Sequence, residues 1–223
     1  MDLKKAKQAA AQKAVAYVED GMIVGLGTGS TAYFAIQLIG EKIRAGLKIL
    51  GVPTSNETAK LAKVCQIPLL SQFSEIDLTI DGADEVDPDG NLIKGGGGAL
   101  TREKIVAAAS KTAIIIVDET KLVQQLGKFP LPVEVLPFGW ESGQKQLQSL
   151  GCTTRLRKKG TAPFITDNQN WILDCQFDRI VNPGKLTIEI NAIPGVVENG
   201  LFASLADLVI VGKEDGSTKE YRF

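Results

Sequence analysis

GLGTGSTA, residues Gly25–Ala32, places three glycines within five positions and closes on hydroxyl side chains. The residues before it, GMIV at 21–24, form a short apolar run, and those after it have a long apolar period. The stretch therefore reads as a turn from a strand into a helix. Such a turn aims backbone N–H groups at an anion. Working outward, the pattern predicts a helix over Asp2–Val18, where Leu3, Ala6, Ala10, Ala14 and Val18 recur at helical spacing, and a strand over Met22–Leu26. A helix over Thr31–Ala45 and a buried strand over Leu47–Val52 follow, and Ser55 is placed to cap the next helix. Ile76–Asp81 and Thr112–Asp118 read as strands on either side of a helix over Leu100–Ala109. This alternation argues for a mostly parallel sheet covered by helices on both faces.

The texture changes at Phe129, where FPLPVEVLPFGW carries three prolines, and a domain boundary is expected there. Beyond it the pattern predicts a helix over Glu141–Leu150, strands over Cys152–Arg157 and Trp171–Cys175, and a turn in TDNQNW. Asp207–Gly212 is again a buried strand, expected to return to the first sheet.

Composition narrows the function. The 223 residues carry a formal charge of -1 and are 44% hydrophobic, with a pI near 5.7, so no nucleic-acid or membrane partner is expected. No apolar run nears the roughly 18 residues that span a bilayer, and MDLKKAKQAA lacks a signal peptide's apolar core, so the expected compartment is the cytosol. Cys65, Cys152 and Cys175 are odd in number and widely spaced, as reduced buried thiols would be. The chain has no histidine. Without imidazole, acid–base chemistry falls to Asp, Glu, Lys, Tyr or Cys, and the commonest metal ligand is missing, so no metal-ligand set is evident.

The glycine loop also satisfies G-x-G-x-x-A through Gly27, Gly29 and Ala32, but the acidic residue due about 20 positions on is replaced by GVPTS at 51–55. The lysine of a P-loop is missing too. Either the loop is a tight packing turn, or it is a nest in which its amides and the hydroxyls of Thr28, Ser30 and Thr31 receive one phosphate group. DGADEVDPDG at 81–90 follows a strand, at the sheet edge where open α/β folds bind ligands. It fails as a calcium loop because Gly96 stands where the bidentate glutamate belongs. Glu85, Asp87 and Asp89 read as a solvated acidic turn, whereas Asp81 and Asp84, nearest the strand end, are site candidates. KGGGGALTREK at 94–104 joins Lys94 to four glycines and then to Glu103 in the first turns of a helix. Ordering four glycines is entropically expensive, so such a loop points to close backbone approach by a ligand. Glu103 serves there either as a base or as a complement to the helix dipole. Lys121 lies at another strand's carboxyl end. Lys7 is either a counter-charge for phosphate or a surface lysine, and RLRKKG at 155–160 reads as a solvated strand end and turn.

A phosphate cradle, carboxylates and a lysine suit proton transfer next to a carbonyl on a small phosphorylated compound. GLGTGSTA, DGADEVD, KGGGGALTREK, GKFPLPVEV at 127–135 and NAIPGVVENGLF at 191–202, taken in that order, resemble the type A ribose-5-phosphate isomerases along nearly the whole chain. That resemblance implies interconversion of ribose 5-phosphate and ribulose 5-phosphate through an enediol in the pentose phosphate pathway, without metal or organic cofactor, by a homodimer or homotetramer. It implies a Rossmann-like domain of residues 1–128 plus 203–223 and an inserted α+β domain of residues 129–202. Carried onto this chain, it makes Glu103 the base, has Asp81 assist ring opening, and has Asp84 and Lys94 orient and stabilise the enediolate. Substrate contacts would come from Asp81, Gly82, Ala83 and Asp84, and from Lys94, Gly95, Gly96 and Gly97. Thr28, Gly29, Ser30 and Thr31 would hold the phosphate, supported by Lys7 and Lys121. Two other classes are weighed against it. A sugar-phosphate-sensing module would need a DNA-binding segment, which the short stretch before the first strand leaves no room for, and an acyl-CoA transferase would use its glutamate as a nucleophile.

Overall fold

The structure is a computed structural model that describes residues 2–223. Through Asp81 the chain alternates helix and strand: α1 (Leu3–Val15), β1 (Ile23–Leu26), α2 (Ser30–Arg44), β2 (Leu50–Pro53), α3 (Asn56–Val64) and β3 (Leu78–Asp81). The short strands β4 (Glu85–Val86) and β5 (Leu92–Ile93) precede α4 (Leu100–Ala108) and β6 (Ala113–Asp118), which ends in a single 3-10 turn at Glu119–Lys121. Next come β7 (Leu131–Val135), α5 (Trp140–Ser149), β8 (Thr153–Leu156), β9 (Lys158–Lys159), β10 (Ala162–Pro163) and β11 (Trp171–Gln176). The chain finishes with α6 (Pro183–Asn191), β12 (Val196–Asn199), β13 (Leu201–Phe202), β14 (Leu208–Gly212) and β15 (Thr218–Arg222). Two compact units result, one of residues 2–83, 102–122 and 205–223, the other of residues 84–101 and 123–204.

The first unit is built on a six-stranded sheet in the order β15-β14-β6-β3-β1-β2. All its pairings are parallel except that of β14 with the edge strand β15. As expected, β14 returns to this sheet. Side chains of a strand alternate between faces, and the core follows that period. Val24, Leu26, Leu78, Ile80, Ile114, Ile116, Leu208 and Ile210 share one buried cluster with Ala10 and Ala14 of α1 and Ile36 and Ile39 of α2. Val52, level with Gly25 between Val24 and Leu26, faces the other way and packs with Val106 of α4 in a separate cluster, which Ile76 joins from the segment before β3. The α/β class expected from the sequence is the one observed, and the helix ends agree with their caps. Asp2 accepts from the Lys5 amide at the start of α1, and Ser55 accepts from the Thr58 amide at the start of α3, as its position predicts. The edge strand β15 carries Lys219, Glu220 and Arg222, a polar pattern that gives no buried-strand signal. It is held by Glu220, whose carboxylate lies 3.0 Å from Lys13 Nζ and accepts from Tyr17 Oη at 2.9 Å.

The second unit holds a four-stranded sheet in the order β12-β7-β11-β8 and a three-stranded one in the order β13-β5-β4, all antiparallel. One core joins Ile93 and Leu201 to Leu131, Val133, Val135 and Leu173 of the larger sheet, with Leu147 of α5 and Ile190 of α6. The turn read in TDNQNW is present, closed by the Gln169 amide on the Thr166 carbonyl. All three cysteines are buried free thiols. Among the described residues no helix is long and apolar enough to cross a membrane.

Candidate active site

In the first unit the glycine loop leaves β1 and enters α2. Gly29 is the N-cap residue of α2, at φ 111°, where a side chain would be strained, and no side chain caps the helix. The first amides of α2 thus remain oriented outward with the positive end of the helix dipole. Gly27 is required for a different reason: a Cβ there would lie 2.6 Å from Asp81 Cα. That close approach lets the Thr28 amide donate to Asp81 Oδ1 at 3.0 Å, while the Gly82 amide donates to the same oxygen at 2.7 Å. Asp81, at the end of β3, is 3% exposed, and these two amides satisfy one of its buried oxygens.

Thr28 Oγ1 lies 2.7 Å from Thr54 Oγ1, 2.9 Å from Ser55 Oγ and 3.1 Å from Thr58 Oγ1. Thr54 in turn donates to the Leu26 carbonyl and Thr58 to the Gly27 carbonyl. The GVPTS segment, which lacks the ribose-binding acid, is thus a hydroxyl brace that fixes the nest. The Thr28 hydroxyl belongs to this brace, and Thr31 is buried in α2, whereas Gly29 and Ser30 are exposed. Lys7 of α1 donates to Ser30 Oγ at 2.9 Å, which brings its ammonium to the nest. A cavity of about 810 Å³ opens here, lined by Lys7, Gly27, Thr28, Gly29, Ser30 and Tyr33 among others. Glu103 lies in the first turn of α4 and is 5% exposed. Lys121 closes the 3-10 turn after β6, whose first residues are capped by Asp118 through the Thr120 amide at 3.0 Å.

In the second unit the amide of Asp84 donates to the Ile93 carbonyl at 2.8 Å, and its Oδ2 accepts from the Gly96 amide at 2.8 Å. The acidic segment and the glycine loop are therefore fastened together. Lys94 is 2% exposed. Its amide donates to the Gly200 carbonyl, and its ammonium stands 5.4 Å from the centre of the Phe202 ring, within cation–π range. Gly95 is buried, while Gly96 and Gly97 are exposed.

Two expectations about charged residues are corrected. Glu85 is not part of a solvated turn: it is 3% exposed and accepts from the amides of Gly127 at 2.8 Å and Phe129 at 2.6 Å. These backbone donors compensate its burial. RLRKKG is not wholly a solvated strand end, because Arg157 Nε and Nη2 grip the Asp174 carboxylate and Nη1 donates to the carbonyls of Gly95 and Gly96, each at 3.0 Å. A further carboxylate went unnoticed in the sequence. Glu134 is fully buried on β7 and accepts from Thr101, Thr166, Asn168 and Asn170. The available signal was an acid inside an apolar strand, in LPVEV for Glu134 and in WILDC for Asp174, since a buried charge demands partners.

A glycine turn at the carboxyl ends of parallel strands places the chain in the broad class of open α/β proteins, which take ligands at that edge. Residues 50–216 match the family model described as ribose 5-phosphate isomerase A (phosphoriboisomerase A). A relative from Bacillus mycoides named ribose-5-phosphate isomerase A is 54% identical over 96% of this chain and 98% of its own length. One of the same name from Gloeobacter violaceus is 55% identical over 97% and 96%. A D-ribose-5-phosphate isomerase solved in complex with phospho-erythronic acid superposes with a TM-score of 0.97 at 46% identity, over the full length of both chains. The ribose 5-phosphate isomerase A structure from Methanocaldococcus jannaschii gives 0.94 at 42%, over 99% of each chain. The chain belongs to the ribose 5-phosphate isomerase A family.

Proposed function

We propose that this chain interconverts D-ribose 5-phosphate and D-ribulose 5-phosphate through an enediolate, as an enzyme of the non-oxidative pentose phosphate pathway. The observation that carries the reading is the end-to-end relationship to proteins named for that reaction. The phosphate enters the nest of Thr28, Gly29, Ser30 and Thr31, where helix dipole, amides and the Lys7 ammonium meet its charge; Lys121 adds a second cation. Glu103 removes the proton from C2 of the open-chain aldose and returns it to C1, a role typically worth ~10²–10⁴-fold. Burial supports this assignment, because a carboxylate withdrawn from water works in a site from which competing solvent protons are excluded. Asp81, with Gly82 and Ala83 beside it, assists ring opening by moving the proton between the ring oxygen and O1. Negative charge that develops on the sugar oxygen is met by Lys94 and by amides of the loop Gly95, Gly96 and Gly97, with Asp84 orienting the hydroxyls. The same reading has the enzyme act in the cytoplasm as a homodimer or homotetramer, and without a metal.

The test is an aldose-to-ketose assay on the purified protein. Ribulose 5-phosphate should form from ribose 5-phosphate, and formation should continue in EDTA. Phospho-erythronic acid should inhibit competitively. Absence of conversion would refute the activity, and inhibition by EDTA would refute its metal-free form. Sedimentation equilibrium reads the assembly.

A further inference from the structure

Arg157 lies just past β8, and its amide donates to the Ile172 carbonyl of β11 at 2.8 Å. Asp174 is two residues further along β11, on the same face and diagonal to Arg157, a spacing that long side chains can bridge. The arginine meets that carboxylate fork to fork, Nε to Oδ2 at 3.1 Å and Nη2 to Oδ1 at 2.5 Å, with both side chains largely buried. Phe164 covers the guanidinium, its ring centre 5.9 Å from Cζ. Held on one edge by Asp174 and on one face by Phe164, the guanidinium points its remaining nitrogen, Nη1, at the glycine loop. There it donates to the carbonyls of Gly95 and Gly96, each at 3.0 Å.

Those two carbonyls fix two successive peptide planes. In a trans peptide the N–H points opposite the C=O, so the amides of Gly96 and Gly97 are turned away from Arg157. The Gly96 amide is found on Asp84 Oδ2 at 2.8 Å. Gly97 is exposed, which leaves its amide open to a ligand oxygen. Four consecutive glycines have no conformational preference of their own that would hold this arrangement.

We propose that Arg157, oriented by Asp174, is a positioning residue for catalysis: it locks the glycine loop so that the Gly96 amide orients Asp84 and the Gly97 amide donates to the substrate oxygen that becomes negative. This rests on the reading that the loop contacts the sugar. Packing alone would not call for such a pair, since a buried ion pair contributes little to stability compared with apolar side chains of similar volume. Lysine would not substitute, because a point charge on a flexible stem lacks the fork that reaches a carboxylate and two carbonyls together.

The test compares Arg157→Lys, Arg157→Ala and Asp174→Asn in steady-state isomerisation of ribose 5-phosphate, with thermal melting of each. The phosphate nest is untouched, so KM should stay within about threefold, while kcat should fall about 10- to 100-fold for both arginine variants, the scale set by a misplacement near 1 Å. Asp174→Asn, which keeps its shape, should lose about 3- to 10-fold in kcat, because the arginine keeps its loop contacts but loses its charged anchor. Guanidinium ion at low millimolar concentration should restore part of kcat in Arg157→Ala and leave the wild type unchanged. Wild-type kcat in Arg157→Lys or in Asp174→Asn overturns the proposal. So does a folded Arg157→Ala protein whose lost activity guanidinium does not restore. Should Arg157→Ala fail to fold, the other two variants decide. If the wild type itself does not isomerise the sugar, the functional reading fails instead.

Discussion

Gly27→Ala tests how the glycine nest is built. The added Cβ would stand 2.6 Å from Asp81 Cα, against 3.4–4 Å for ordinary contact. The obstacle includes backbone, so the carboxyl ends of β1 and β3 must part. Overpacking of this kind costs about 1–3 kcal/mol. Loss of the Thr28 amide bond to the Asp81 carboxylate costs about 1.5–3 kcal/mol more. The two are coupled and do not simply add, so about 3 kcal/mol is expected, equivalent to a drop in Tm of about 6–12 °C for a chain of this size. Gly29→Ala is the control. Its Cβ meets open space, so only the strain of φ 111° remains, of order 1–3 kcal/mol. Calorimetry and circular dichroism melts of both variants supply the comparison. If Gly27→Ala melted within about 2 °C of the wild type, the close approach of the two loops would not be needed and this account of the nest would be wrong.

Thr28→Val keeps the side-chain shape but removes the hydroxyl from its three neighbours in the brace; urea denaturation should show a loss of about 1–3 kcal/mol, and unchanged stability would remove the brace from the argument. Glu220 is held below the usual carboxylate range by the hydrogen bond from Lys13, and next by that from Tyr17. A depressed carboxylate stabilises the fold above its unfolded pKa, and that contribution is lost as pH falls through the folded value. Glu220→Gln should therefore be less stable than the wild type at pH 7, and the gap in urea midpoints should shrink as pH drops below the ordinary glutamate value of about 4.3. A gap independent of pH would contradict the linkage.

The sequence revealed the first unit more readily than the second, for physical reasons. Strands buried on both faces, such as Ala113–Asp118 and Leu208–Gly212, are continuous apolar runs, and the glycine loop marks where one of them turns into a helix. The edge strand Thr218–Arg222 escaped notice because it is polar and partly solvated. The two-residue strands at Glu85–Val86 and Leu92–Ile93 are too short to show a period, and the second partner of Leu92–Ile93, Leu201–Phe202, is remote in sequence. Among the residues proposed for the site, Asp81, Lys94 and Glu103 could be picked out from their places after strands and beside glycines. Arg157 could not, because the role proposed for it depends on Asp174 lying diagonal to it across β8 and β11 and on a loop some 60 residues earlier. Glu85 looked solvated for the same reason: its donors, Gly127 and Phe129, are distant in the chain.

The decisive measurement is kcat of Glu103→Gln for ribose 5-phosphate, taken beside its melting temperature and its affinity for phospho-erythronic acid. Amide for carboxylate keeps the volume and removes the base, so kcat should fall by about 10²–10⁴-fold while melting and inhibitor binding stay close to wild type. Turnover at the wild-type rate in that variant would show that the proton moves by way of another group.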